Sequence, residues 1–168
     1  MTVPQTPLTL AEVETIARTA HAGRTDKAGR PYAEHLAAVA HGVRARGGTD
    51  EQIAAAWLHD AVEDDVLSAA WLAAAALPQQ VKDMVLAVTR QDGEDLSAYT
   101  RRILATPGAL LIKESDLAHN ADPARLAVLE PATRTRLTAK YAQVRALLGL
   151  TAGEPPIEQP DPANTAED

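Results

Sequence analysis

Cysteine is absent from the chain, and so is phenylalanine; two tryptophans and three tyrosines supply all of its aromatic rings. Without thiols there is no disulfide framework and no thiolate metal site. Any metal ion must therefore be held by histidine nitrogens and carboxylate oxygens. No run approaches the roughly 18 apolar residues of a membrane span. Met1 to Leu8 is short, polar and proline-containing, with no basic-plus-apolar leader pattern. Together these absences give the expectation of a cytoplasmic protein with no membrane partner. An excess of basic charge is missing too, since the formal net charge is −7. Five of the 23 acids (Glu154, Glu158, Asp161, Glu167 and Asp168) fall after residue 150, leaving 18 acids against 16 bases before it. A nearly neutral body argues against a nucleic-acid partner, which needs a basic surface. A small anionic ligand held by a few local bases stays compatible with it.

What the chain does have is alanine and leucine in quantity, both strong helix formers. Its 168 residues suit one domain able to bury a core without staples. The expected fold class is all-α, a single helical bundle over residues 9–150. Residues 1–8 read as a flexible arm and 151–168 as a disordered, acidic, proline-rich tail. Thr9 is placed to cap a first helix, with Glu12 at the capping-box position. After a polar loop from Gly23 to Pro31, a second helix is expected from Tyr32 to about Arg46, stopped by Gly47-Gly48. Thr49 caps a third, with Ile53, Ala56, Trp57 and Ala61 inward. Ser68 opens a short alanine-rich helix closed by Pro78, and Gln79 to Thr89 follows with Val81, Val85 and Val88 inward. A loop at Gln91–Asp95 leads to a helix ending near Thr106. Pro107 suits the first turn of the next, which runs to about Asn120. A last helix is expected from Ala132 to Leu148.

The chemistry gathers in Ala56-Trp57-Leu58-His59-Asp60-Ala61-Val62-Glu63-Asp64-Asp65, in or at the end of the third helix. On a helix His59 would share a face with Glu63, and Asp60 with Asp64. Carboxylates crowded at a helix C-terminus repel one another and oppose the macrodipole, so a bound cation would stabilise them. The plain alternative is a frayed acidic end in water, which the flanking Trp57, Leu58 and Val62 disfavour. His35, on the second helix, reads as a structural histidine when taken singly. Lys113, Asp116 and Asn120 share one face of a helix; singly, Lys113 and Asp116 read as a surface ion pair worth about 0.3–0.5 kcal/mol.

In order, these residues resemble the HD phosphohydrolase superfamily: a His, then His-Asp, then a distant Asp on a helical chain. The resemblance narrows to Rel/Spo-type alarmone hydrolase domains in three runs. The first holds His21-Ala22-Gly23, then Lys27-Ala28-Gly29-Arg30-Pro31-Tyr32, then Glu34-His35. The second is Ala56-Trp57-Leu58-His59-Asp60-Ala61-Val62-Glu63-Asp64. The third is Ile112-Lys113, Asp116 and His119-Asn120. It covers about residues 10 to 148 and is similar to the small stand-alone form of these enzymes.

The resemblance implies an HD-type domain in which His35, His59, Asp60 and Asp116 hold one divalent ion, typically Mn²⁺. It implies Glu63 and Asp64 as the catalytic acidic pair that handles the attacking water. Lys27 and Asn120 would be substrate-binding positions, with Tyr32 and Lys113 in the same region. The implied reaction removes pyrophosphate from the 3′ position of guanosine 3′,5′-bis(diphosphate), leaving GDP. Two positions where the family carries arginine read Asp26 and Leu117 here. Arg24 and Arg30 are the nearby cations that could compensate, and Arg24 is taken as a substrate-binding candidate. The alternatives are a hydrolase of another nucleotide or phosphorylated cofactor such as NADPH, a metal-bound nucleotide sensor without turnover, and a helical scaffold with a solvent-facing acidic cluster. Oligomeric state is not legible.

Overall fold

The structure, a computed structural model, describes residues 3–150. The tail expected over 151–168 and the first two residues of the arm lie outside the described residues. Among those described, nine helices and no strand are found: α1 Leu10–Ala20, α2 Tyr32–Ala45, α3 Asp50–Leu58, α4 Ala69–Ala74, α5 Gln79–Val88, α6 Leu96–Ala105, α7 Ala109–Asn120, α8 Pro123–Ala127 and α9 Pro131–Leu147. The all-α expectation holds. The one β-type pairing there is an isolated bridge between Thr25 and Pro31, which closes the loop before α2.

Helix starts follow local chemistry. Thr9 and Thr49 each accept a backbone N–H three residues on, while Glu12 and Gln52 reach back to complete capping boxes. Ser68 accepts from the Trp71 N–H at the head of α4. Pro131 occupies the first turn of α9, where its missing N–H costs nothing. One start differs from expectation. Pro107 lies outside α7, and the helix begins after Gly108, which takes φ +85°. A side chain there would be strained by that left-handed backbone, and its Cβ would come within 2.8 Å of Met84 Sδ.

Helix α2 is the spine and packs mainly on α3 and α7; α3 also packs on α1 and α5. Leu36, Val39, Val43, Ile53, Ala55, Leu58, Met84, Val85, Ile103 and Ile112 form the centre of a continuous core. Small residues are frequent in these two helices, where Ala40 on α2 and Ala54, Ala55 and Ala56 on α3 are all buried. Helix α9 packs on α6 and α7 and closes one side of the bundle with Val144 and Leu148. The packing sets α2, the end of α3 and α7 around one point.

Candidate metal centre and ligand chamber

Helix α3 stops at Leu58, with His59 as its C-cap. The chain then runs in turns: the Asp64 N–H donates to the Asp60 carbonyl at 2.9 Å, and Asp65 takes φ +56°. The helical face expected to join Asp60 with Asp64 is therefore not formed, whereas His59 and Glu63 still line one cavity. The acids that oppose the helix dipole lie just beyond its end. The turns send the side chains apart: Asp60 inward, Glu63 to the solvent edge of a cavity, and Asp64 toward His21, whose Nε2 is 3.7 Å from Asp64 Oδ2.

His35 from α2, His59 and Asp60 from the end of α3, and Asp116 from α7 each offer one ligand atom, and these four atoms lie within 4.8 Å of one another. His35 Nε2 is 3.0 Å from Asp116 Oδ1 and 3.6 Å from Asp60 Oδ2. His59 Nε2 is 3.1 Å from Asp60 Oδ2 and 3.4 Å from Asp116 Oδ1. His59 Nδ1 is 2.6 Å from the Ala56 carbonyl, to which it donates, so the lone pair of the neutral ring is on Nε2. That Nε2 is fully buried without a hydrogen-bond partner. A buried nitrogen without a hydrogen-bond partner, aimed between two carboxylates, is a donor suited to a cation. The donor set fits a divalent ion of the Mn, Fe, Co or Zn type.

Surrounding bonds hold the carboxylates in place. The Tyr32 hydroxyl donates to Asp60 Oδ2 at 2.5 Å. Lys113 Nζ donates to Asp116 Oδ2 at 2.9 Å, and Asn120 Nδ2 to Asp116 Oδ1 at 3.0 Å. The Lys113–Asp116 pair is thus buried, not on the surface. Burial by itself works to raise the Asp60 pKa, yet the charge and hydrogen bond of His59, together with the charge of His35, outweigh it and bring it down to about 2. For His59 burial works downward, and the charges and hydrogen bonds of Asp60 and Asp116 together outweigh it, raising the pKa well above the ordinary range. A metal ion must displace that proton from Nε2. Affinity for a divalent ion is therefore expected to fall as pH falls, with about one proton released per ion bound near neutral pH. Calorimetry in buffers of different ionisation enthalpy measures this; binding with no proton release would contradict it.

The centre opens into a cavity of about 310 Å³. Four basic side chains line it: Lys27, Arg90, Lys113 and Lys140. Glu63 sits at its edge, where its Oε1 accepts the Arg90 backbone N–H at 2.7 Å. Desolvation pushes the Glu63 carboxyl up, against that hydrogen bond and with help from the Asp60 charge. A second, smaller cavity of about 210 Å³ shares Lys27, Tyr32, His35, Asn120 and Tyr141 with the first, and its far wall is apolar, from Leu126, Leu129 and Leu137. A polar, cationic chamber thus continues into a recess with an apolar wall.

The structure brings Lys27, Tyr32, Lys113 and Asn120 to the chamber as expected, but not Asp64 or Arg24. Arg24 Nη1 donates to the Asp64 carbonyl at 2.9 Å, and neither residue lines either cavity. Arg30 is exposed and paired with Glu34. Arg90, Lys140, Tyr141 and Arg125 were not picked out from the sequence. Arg90 and Lys140 follow no motif, and only the folding of the α5–α6 loop and α9 onto the centre reveals them. His119 belongs to a quoted run, three residues after Asp116, but had no role assigned. Its Nδ1 lies 2.8 Å from His35 Nδ1, and its pKa is brought down to about 3 by burial and then by the His35 and Arg125 charges.

Residues 15–102 match the HD domain family. That stretch contains His35, His59, Asp60, Glu63 and Asp64; Asp116 lies beyond it. The chain is also 30% identical over 144 residues to a probable guanosine-3′,5′-bis(diphosphate) 3′-pyrophosphohydrolase of Synechocystis sp. (strain ATCC 27184 / PCC 6803 / Kazusa), covering 79% of this chain. The match spans 19% of that relative's length.

Proposed function

The chain belongs to the HD domain family of metal-dependent phosphohydrolases, and we propose that it removes the 3′ pyrophosphate of guanosine 3′,5′-bis(diphosphate) or a closely similar nucleotide, using Mn²⁺. The observation that carries this reading is the position of the four-ligand cluster on the floor of a chamber lined by four basic side chains and continuous with a part-apolar recess. Four cations against the carboxylates of Asp60, Glu63 and Asp116 leave one net positive charge, and a divalent ion raises the excess to three. Such an excess suits a diphosphate better than a neutral ligand.

His35, His59, Asp60 and Asp116 would hold the ion. Once bound there, it supplies Lewis-acid polarisation of a phosphate oxygen and an acidified water. Lys27, Arg90 and Lys140 neutralise the phosphate charge that grows on the leaving group. Lys113 is committed to Asp116 and fixes that carboxylate's direction. Glu63, at the chamber edge with a raised pKa, accepts the proton of the attacking water. Asn120 and Tyr141 border both cavities and orient the nucleoside toward the recess.

A second reading is supported by Asp26. Its Oδ1 accepts the backbone N–H groups of Ala28 and Arg30, and its Oδ2 is held by Arg125 at 2.8 Å. An ionised carboxylate thus stands beside the recess where the resemblance leads one to expect an arginine, and it offers no planar cation to stack on a base, which favours another nucleotide or a phosphorylated cofactor such as NADPH. The test is phosphate and pyrophosphate release from a nucleotide panel, in Mn²⁺ and in EDTA. Mn²⁺-dependent GDP and pyrophosphate from guanosine 3′,5′-bis(diphosphate) are expected. Turnover of a different member alone would reassign the substrate, and binding without product across the panel would make the protein a sensor.

A further inference from the structure

His119 Nδ1 has two polar neighbours. Arg125 Nη1 lies 2.9 Å away and His35 Nδ1 lies 2.8 Å away. A guanidinium only donates, so His119 Nδ1 must be an acceptor and its ring must carry its proton on Nε2. The hydrogen between the two imidazoles then belongs to His35, whose Nδ1 donates. With Nδ1 protonated, the lone pair of a neutral His35 is on Nε2, the atom 3.0 Å from Asp116 and facing the cluster. A single guanidinium contact therefore decides which nitrogen of His35 is free to bind an ion.

Arg125 is itself fixed from several sides. The second hydrogen of its Nη1 is directed at Asn120 Oδ1, 3.1 Å away, with the His119 carbonyl a longer neighbour at 3.3 Å. Its Nη2 donates to Asp26 Oδ2 at 2.8 Å, on the loop that walls the recess, 99 residues away in sequence. Asp26 in turn has both oxygens engaged, and burial notwithstanding, its bonds to Arg125 and the loop amides keep it ionised. The pair thus joins the loop before α2, the end of α7 and α8. Nothing in the family resemblance assigned Arg125 a role, and Arg24 and Arg30, the nearer cations in sequence, are turned elsewhere.

We infer that Arg125 is a positioning residue for the metal centre: held by Asp26, it makes His119 an acceptor and thereby presents His35 Nε2 as a ligand. This inference rests on the metal reading of the cluster. Hydrogen-bond partners of ligating histidines typically carry 10–100-fold in metal affinity, which sets the size of the expected effect. Lysine in place of Arg125 would keep the charge but not the fork that spans His119, Asn120 and Asp26.

The test uses the full chain and Mn²⁺ alone. Affinity is measured by calorimetry for wild type, Arg125→Lys, His119→Asn, His119→Ala, and the double variant Asp26→Ala with Arg125→Ala, which removes the ion pair without leaving an unpaired carboxylate. Arg125→Lys and the double variant are expected to bind Mn²⁺ about tenfold or more weakly. His119→Asn keeps an oxygen acceptor for His35 and is expected to retain more affinity than His119→Ala. In parallel, long-range ¹⁵N–¹H NMR on the metal-free wild type should find His119 unprotonated at Nδ1. A proton on that nitrogen overturns the inference, even if every variant were to misfold. So does unchanged Mn²⁺ affinity in variants that keep wild-type helicity. A wild type that binds no Mn²⁺ would overturn the metal reading itself, which separates the two failures.

Discussion

Asp60→Ala is expected to lose Mn²⁺ binding and turnover together, with affinity down by more than about a hundredfold. Loss of a hydrogen-bond partner behind a ligand already costs 10–100-fold, and Asp60 is a proposed ligand itself. Its Oδ2 is the oxygen nearest His59 Nε2, and it also accepts from the Tyr32 hydroxyl. Removing it leaves three ligand atoms, and one fewer negative charge to offset the basic chamber. The fold should survive in EDTA, because the core around Leu36, Val39, Leu58 and Ile112 does not depend on this side chain. Calorimetry for Mn²⁺, product release, and circular dichroism in EDTA read the three parts separately. Full activity in the variant would end the metal-centred account. Loss of helicity in EDTA would show instead that Asp60 is structural.

Glu63→Gln should behave in the opposite way, keeping Mn²⁺ affinity within a few-fold of wild type while kcat falls by about 10²–10⁴, the usual contribution of a positioned general base. Glu63 is outside the four-ligand cluster, yet it is on the chamber wall and its carboxyl is already pushed up by desolvation. The amide keeps an oxygen for the Arg90 N–H and removes only the basicity. Asp64→Asn is expected to have a smaller effect on kcat. Its carboxylate faces His21 and not the chamber, so it acts through the turn that carries Glu63. Single-turnover rates at saturating Mn²⁺ decide the matter. Equal losses from the two variants would restore the pair as joint partners of the water, and an active Glu63→Gln protein would remove Glu63 from the mechanism.

Much of this architecture was legible because its signals are local. Thr9 with Glu12, Thr49 and Ser68 announce helix starts within three residues, and Val81, Val85 and Val88 mark a buried face by spacing alone. The four residues that the structure gathers into one cluster stand out in the sequence through motif order, not from any one residue; His35 alone is indistinguishable from a structural histidine. The errors arise where the chain leaves regular geometry. Helical spacing put Asp60 and Asp64 on one face, but the helix ends at Leu58 and the turns separate them. Pro107 resembled a helix start, while the left-handed Gly108 delays it. Arg24 was chosen for its nearness in sequence to Asp26, whereas the cation at that carboxylate is Arg125. Contacts of that span depend on how α8 is laid against the loop before α2, which no local pattern encodes. The same holds for Lys140 and Tyr141, brought to the chamber by α9.

The alanine seam between α2 and α3 bears on how this protein tolerates accidental change. Ala40 is buried in the helix carrying His35, and Ala54, Ala55 and Ala56 are buried in the one that ends at His59, two helices that pack on each other. Well-packed interiors answer an added methylene by shifting backbone, not by absorbing it. Enlargement at these unremarkable positions would move one imidazole relative to the other. Inheritable loss of activity should therefore strike the seam as readily as the ligands, in proteins that still fold and carry every reactive group intact.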